Sequence, residues 1–247
     1  MITSLQLQKI KLITFDATNT LLKFRVSPWK YYAKLAEEYG YKVKEDEIRK
    51  QFISTYQILS NNYPNFGMGS ILWENWWRKI VQGTFREKIT DTTTITSIAD
   101  VLIEDYKSPK CWCAAKGSVE LLKCLQAHGI SLGVVSNFDP RLHEILRKLY
   151  LDTYFTFVLT SYETGYSKPD KKFFESAIIQ SKLNALSIEC LHIGDDYEKD
   201  YKGAKAAGWN AILVTEKVNG LHDLNPTQCY KNLQDLKIDL ENEKLLR

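Results

Sequence analysis

No uncharged apolar stretch in this 247-residue chain reaches the roughly 18 residues needed to cross a bilayer. The first eight residues lack the basic region and apolar stretch of a secretory signal, and the apolar run that begins near Ile10 meets Asp16 almost at once. Cysteine is scarce and odd in number: Cys111, Cys113, Cys124, Cys190 and Cys229 suit a reducing compartment better than a disulfide scaffold. Cys111 and Cys113 form a lone C-x-C with no second pair at zinc-ligand spacing, which argues for packing around Trp112 rather than a metal. No basic tract stands out, because 33 basic and 30 acidic residues are intermixed and leave a formal charge of +3; nucleic acid is not an indicated partner. Internal repeats and low-complexity segments are missing too. The expectation is a soluble, intracellular protein with no membrane partner, cytoplasmic, with nuclear and mitochondrial addresses left open. What is there is ordinary globular composition, 44% hydrophobic and 26% charged, in a chain long enough to remove about 70–75% of its unfolded surface from water.

Five short apolar runs read as buried strands: Lys11 to Phe15, Ser131 to Ser136, Phe157 to Thr160, Cys190 to Ile193 and Ala211 to Val214. The last four each follow a helical pattern, and Gly129 and Gly208 stand where a helix should stop before the next strand. This alternation predicts a doubly wound, Rossmann-like parallel α/β sheet. The first two runs are over 100 residues apart, far more than one crossover helix needs. Four amphipathic helices fill that gap. Ser27-Pro28 opens the first, which closes at Gly40; Ile48, Phe52 and Tyr56 mark the second. Ser70 is placed as the cap of a third, carrying Trp73, Trp76 and Trp77 into a core, and Ile98, Val101, Leu102 and Tyr106 mark the fourth. The predicted division is an α/β core of residues 1–22 and 109–247 and a helical cap of residues 23–108, Pro109 marking the return. Asp139-Pro140 reads as a helix cap and first helical residue, and the charged tail from Ile238 is expected to fray.

The chemistry gathers where strands end. The first strand ends in Phe15-Asp16-Ala17-Thr18-Asn19-Thr20, the second in Ser136-Asn137 and the fourth in Gly194-Asp195-Asp196, with Ser167-Lys168-Pro169 between the third and fourth. In open α/β sheets the carboxyl ends of strands converge on the ligand crevice, so acids, a lysine and a serine should meet there. His192, on a buried strand, reads as a satisfied core histidine.

In their order and placement these segments resemble the four motifs of the haloacid dehalogenase superfamily, and the helical insert resembles its C1-type cap. The resemblance spans residues 11 to about 215 and implies a phosphatase. Asp16 would be the nucleophile, forming an aspartyl-phosphate. Mg2+ would sit between the Asp16 and Asp195 carboxylates and the Thr18 backbone carbonyl, with Asp196 and Asp200 as partners just outside it. Lys168 would pair with Asp16 and the phosphoryl group. Ser136, Asn137, Thr18 and Asn19 would complete the phosphate contacts, the last two through backbone N–H groups. The Glu163-Thr164-Gly165 segment is similar to a loop that supports the lysine. The substrate implied is a small phosphorylated metabolite, over which the cap would close. One position departs from the pattern: such phosphatases carry a second Asp two residues after the nucleophile as general acid and base, and here that residue is Thr18. Two alternatives stay open, a catalytically weak protein that binds a phosphometabolite or partner, and a metal-independent 2-haloacid dehalogenase, which Asp16-Ala17-x-x-Thr20 also resembles. Oligomeric state is not legible.

Overall fold

The computed structural model describes residues 9–217 and 224–242. The chain divides into two compact units, one of Met1–Lys23, Ala114–Asn137 and Leu149–Arg247, the other of Phe24–Cys113 and Phe138–Lys148.

Eight strands occur among the described residues, six of them in one sheet of the first unit. The strands are β1 (Leu12–Phe15), β2 (Leu22–Phe24), β3 (Trp112–Ala114), β4 (Ser131–Ser136), β5 (Phe157–Thr160), β6 (Cys190–Gly194), β7 (Asn210–Val214) and β8 (Cys229–Tyr230). Six of them form a sheet in the order β5-β4-β1-β6-β7-β8, with each neighbouring pair parallel. β1 and β6 are buried at every residue, as parallel strands covered on both faces must be, which is why they read as unbroken apolar runs. Helices Ser118–Ala127, Lys171–Ser181 and Leu233–Asn242 supply apolar faces for burial, through Leu121, Leu125, Phe173, Phe174 and Leu236. Gly129 and Gly208 take left-handed φ values of 72° and 80° just before β4 and β7, as helix-stop positions require. The five expected strands lie within a residue of their sequence positions. β8, at two residues, is too short to leave a period in the sequence, and β2 and β3 form a separate two-stranded sheet. The C-terminal helix departs from expectation: it runs on to Asn242 with Leu240 buried, so the chain does not fray from Ile238. Residues 1–8 and 243–247 lie outside the described residues.

The second unit is helical, with helices Pro28–Glu38, Glu45–Asn62, Trp73–Phe85, Thr92–Asp105 and Arg141–Lys148. Its core holds Tyr32, Ile48, Trp76, Ile80, Phe85, Ile98 and Leu102. The third helix begins at Trp73 rather than near Ser70. The N–H groups of Ser70 and Ile71 instead close a turn onto the Gly67 carbonyl, at 2.9 and 2.8 Å. Trp76 is buried as expected, whereas Trp73 and Trp77 are half-buried and flank the Arg141 guanidinium, 5.2 and 4.7 Å from their ring centres.

The division also differs from the one read off the sequence at 22/23 and 108/109. The returning chain stays paired with the outgoing one past Pro109, with Arg25 N donating to Cys111 O at 2.8 Å and Arg25 Nε to Pro109 O at 2.7 Å. Phe138–Lys148 belongs with the helical unit, not with the α/β core. One polar cluster ties it there: Arg141 makes a two-pronged contact to Asp139 at 2.9 and 2.7 Å, and Trp77 Nε1 donates to the same carboxylate at 2.8 Å. Asp139 also accepts from Arg141 N at 3.1 Å, so the expected cap is present with added duties.

Candidate functional site

The sheet register assembles the site. Phe15 lies opposite Val134 on β4 and Ile193 on β6, which brings Asp16, Val135-Ser136 and Gly194-Asp195 to one level at the carboxyl ends of three adjacent strands. From β1 the chain goes to β4 and β5 on one side and comes back to β6 on the other. A crevice forms at such a reversal. Asp16 N donates to Ile193 O at 2.9 Å, and beyond it the Ala17 carbonyl takes the N–H groups of Leu21 and Leu22 at 3.0 and 2.9 Å. The turn so closed places Asn19 at a φ of 64°, a conformation asparagine tolerates better than most residues. Thr18 is half-buried in this turn.

Lys168 is the centre of the site. Its Nζ donates to Asp16 Oδ1 at 2.6 Å and to the Val135 carbonyl at 2.7 Å, and pairs with Asp200 Oδ1 at 2.7 Å. An ammonium has three N–H groups, so all are used. Taking such a charge out of water costs several kcal/mol, which only contacts of this quality offset. The backbone of Lys168 is fixed as well: Asn137 Nδ2 donates to its carbonyl at 2.9 Å, and its N–H donates to Asn137 Oδ1 at 2.8 Å. The Asn137 side chain, expected among the phosphate contacts, is thus committed to holding the lysine loop. Glu163 accepts from the Thr160 hydroxyl at 2.6 Å in the short turn that precedes that loop.

Asp200 anchors the lysine from the other side. A Cβ on Gly194 would fall 2.2 Å from Asp200 Cγ, so the missing side chain on β6 is the space that the carboxylate fills. Asp200 Oδ2 accepts from Asp196 N at 2.9 Å, and Oδ1 lies 3.2 Å from His192 Nε2. Thr14 and His192 are register partners on β1 and β6, with Thr14 Oγ1 2.8 Å from His192 Nδ1. Because a carboxylate only accepts, the proton belongs on Nε2, and Nδ1 accepts from the Thr14 hydroxyl. Burial first, and then Lys168, hold His192 below its usual value and keep it neutral. His192 is therefore a satisfied core histidine, as its strand position suggested, and it also props the site from below. Thr14 and Asp200 in this role went unread, although Thr14 shares the strand face of Asp16. Asp196 turns away: its Oδ1 caps Glu198 N and Lys199 N at 3.0 and 2.9 Å, and Oδ2 meets Lys199 Nζ at 2.8 Å.

The charges do not balance. Ligand oxygens of Asp16, Asp195 and Asp200 lie within 4.8 Å of one another, against one buried ammonium, Lys168, and the exposed Lys23 that also acts on Asp195. Burial would favour neutral Asp200, but Lys168 and His192 outweigh it and hold the acid below the usual carboxylate range. Burial, only partly countered by Lys168 and reinforced by Asp200, leaves Asp16 above that range. Burial, then Asp16 and Asp200, push Asp195 up to about 7. With both Asp200 oxygens already accepting hydrogen bonds, Asp16 and Asp195 are the carboxylates left for a cation. An oxygen-seeking divalent ion fits this donor set and would supply the missing positive charge. Ser136 is buried at the end of β4, and the buried Thr20 hydroxyl has no hydrogen-bond partner. Among the described residues no other cluster of metal-ligating side chains occurs, the five cysteines are free thiols, and no helix is long and apolar enough to cross a membrane.

The family model of the haloacid dehalogenase-like hydrolases matches residues 10–208. The chain is 42% identical over 222 residues to the "Rhythmically expressed gene 2 protein" of Drosophila melanogaster, covering 85% of each. A HAD phosphatase from Thermococcus onnurineus superposes with a TM-score of 0.65 at 22% identity, covering 94% of this chain and 98% of that one. A 2-haloacid dehalogenase from Pseudomonas syringae pv. Tomato superposes with a TM-score of 0.63 at 24% identity, covering 94% and 99%. At such identities these two likenesses speak for the fold alone.

Proposed function

Since the chain belongs to the haloacid dehalogenase-like hydrolases, we propose that it is a Mg2+-dependent phosphatase that works on a small phosphorylated metabolite in the cytoplasm, through an aspartyl-phosphate at Asp16. The observation that carries this reading is the surplus of carboxylate around Asp16: Asp195 adds a half-buried acid beside the nucleophile, which has a use if a divalent cation and a phosphate dianion are bound and none if a halide is displaced without metal. Mg2+ would be held by Asp16, Asp195 and the Thr18 backbone carbonyl; when bound it neutralises the carboxylates and draws charge from the phosphoryl oxygens. Lys168 keeps Asp16 oriented and presents positive charge to the same oxygens. Ser136 and the N–H groups near Thr18 and Asn19 donate hydrogen bonds as charge spreads over them. A second reading, a metal-independent dehalogenase or a binding protein of little turnover, draws on Thr18, which offers no acid two residues after the nucleophile.

Phosphate release from a panel of phosphate compounds, with Mg2+ and with EDTA, separates these readings. Mg2+-dependent release that vanishes in Asp16→Asn is expected. Halide release from 2-haloacids in EDTA would establish the dehalogenase instead. Stabilisation by Mg2+ or phosphate without any turnover would establish the binding protein.

A further inference from the structure

The geometry points to a substrate class: phosphates whose leaving oxygen departs without taking up a proton, that is acyl phosphates and phenolic or enolic phosphates, in preference to alkyl phosphates. This rests on the phosphatase reading and narrows it.

The argument is an account of protons around Asp16. An alkoxide is a strong base and leaves only if an acid protonates it, help worth about 10²–10⁴-fold. A carboxylate leaves as the anion it already is in water, and a phenolate or enolate, a far weaker base than an alkoxide, departs without an acid's help. Asp200 is engaged at both oxygens, by Lys168, His192 and the Asp196 N–H. The proton on His192 Nε2 faces Asp200, Nδ1 is occupied by Thr14, and the ring is fully buried. The Lys168 ammonium gives its three N–H groups to Asp16, Asp200 and the Val135 carbonyl. Asp196 is folded back onto its own turn. Asp195, holding a cation, carries no proton. Ser136, Thr18 and Thr20 are alcohols and no better acids than an alcohol leaving group. Among the described residues of the α/β unit, no carboxyl or imidazole near Asp16 is left to serve as the acid.

The chemistry then runs in two displacements. An Asp16 oxygen bonds to phosphorus as the bond from phosphorus to the leaving oxygen breaks; the electron pair goes with the leaving carboxylate or phenolate, and no proton moves. Water then bonds to phosphorus, the bond to Asp16 breaks with its pair returning to the carboxylate, and the water proton passes to a phosphate oxygen or to solvent. The missing acid is equally a missing base for that water. The second step is therefore slow, and phosphorylated Asp16 accumulates.

The test compares acetyl phosphate, p-nitrophenyl phosphate, phenyl phosphate and glycerol phosphate on the full chain with Mg2+, reading both the initial release of the leaving group and the intact mass of the protein. Expected are a burst approaching one leaving group per protein, a phosphate's added mass that is absent in Asp16→Asn, and initial rates that fall about 10²-fold or more from acetyl phosphate to glycerol phosphate. Thr18→Asp should raise the glycerol phosphate rate far more than the acetyl phosphate rate and shorten the lifetime of the phosphorylated protein. Glycerol phosphate reacting about as fast as acetyl phosphate in the unaltered protein would overturn the substrate class and leave the phosphatase standing. So would a Thr18→Asp variant that takes up phosphate at Asp16 yet speeds both substrates equally. If no compound transfers phosphate to Asp16 and none releases it, the phosphatase reading itself fails, and this inference with it.

Discussion

Lys168 stands between two buried carboxylates, so a variant there changes stability as much as chemistry. Lys168→Met keeps the length of the side chain but leaves Asp16 and Asp200 facing each other without a cation. Removing one partner of a buried ion pair costs about 3–5 kcal/mol; urea denaturation should show a loss of that order, and Mg2+ should recover part of it by replacing the charge. A loss under about 1 kcal/mol would mean that the carboxylates simply take up protons or move apart. Gly194→Ala tests the opposite side of the same cluster. Its Cβ would fall 2.2 and 2.3 Å from Asp200 Cγ and Oδ2, which forces the carboxylate off Lys168 and His192. Overpacking of this kind costs about 1–3 kcal/mol, and the expected signature is a fall in Asp16 phosphorylation together with that loss. Unchanged phosphorylation would show that Asp200 can hold the lysine from a shifted position.

The helix Arg141–Lys148 buries Leu142, Ile145 and Leu146, and one polar cluster at its start joins it to Trp73 and Trp77. Trp77→Phe removes the indole N–H from Asp139 but leaves the ring face over Arg141, so a loss of about 1–3 kcal/mol is expected; Arg141→Met, which leaves Asp139 buried without its cation, should lose about 3–5 kcal/mol. Equal losses would mean that the tryptophans act by packing alone. This cluster also marks where the sequence stops being legible. β1, β4, β5, β6 and β7 could be read because strands covered on both faces must be continuously apolar, and Asp16, Ser136, Lys168 and Asp195 could be placed because those strands end in them. The allegiance of Phe138–Lys148 could not, since it is settled by Trp73 and Trp77, more than 60 residues earlier. The partnership of Thr14, His192 and Asp200 escaped for a similar reason: it needs the register of β1 against β6 and the void at Gly194, neither of which has a local pattern. The start of the third helix was missed because Ser70 is as good a turn residue as it is a cap.

At the scale of the molecule, the unbalanced charge at the site should tie stability to pH and metal together. Without a cation, Asp195 is pushed up to about 7 by burial and by Asp16 and Asp200. Between about pH 4 and that value the folded protein keeps a proton that the unfolded chain has released. This group's contribution to stability therefore falls as pH rises across that window and stays flat above it. Mg2+ requires the ionised carboxylate, so its stabilising effect should be small at about pH 5.5 and should grow through neutrality, which melting curves with and without Mg2+ would read. Asp195→Asn should abolish the growth; an equal shift at both pH values would argue that Mg2+ binds elsewhere.

The division of the chain bears finally on how this protein can be taken apart. Phe24–Cys113 resembles a cassette, entered and left once, but Phe138–Lys148 makes a second excursion into the same helical unit. Excising the cassette, or transplanting it into a related scaffold, would strip Arg141 of Trp73 and Trp77 and Asp139 of the Trp77 indole N–H. Recombination that respects this architecture must exchange both segments at once, and so has to cut within two residues of Ser136.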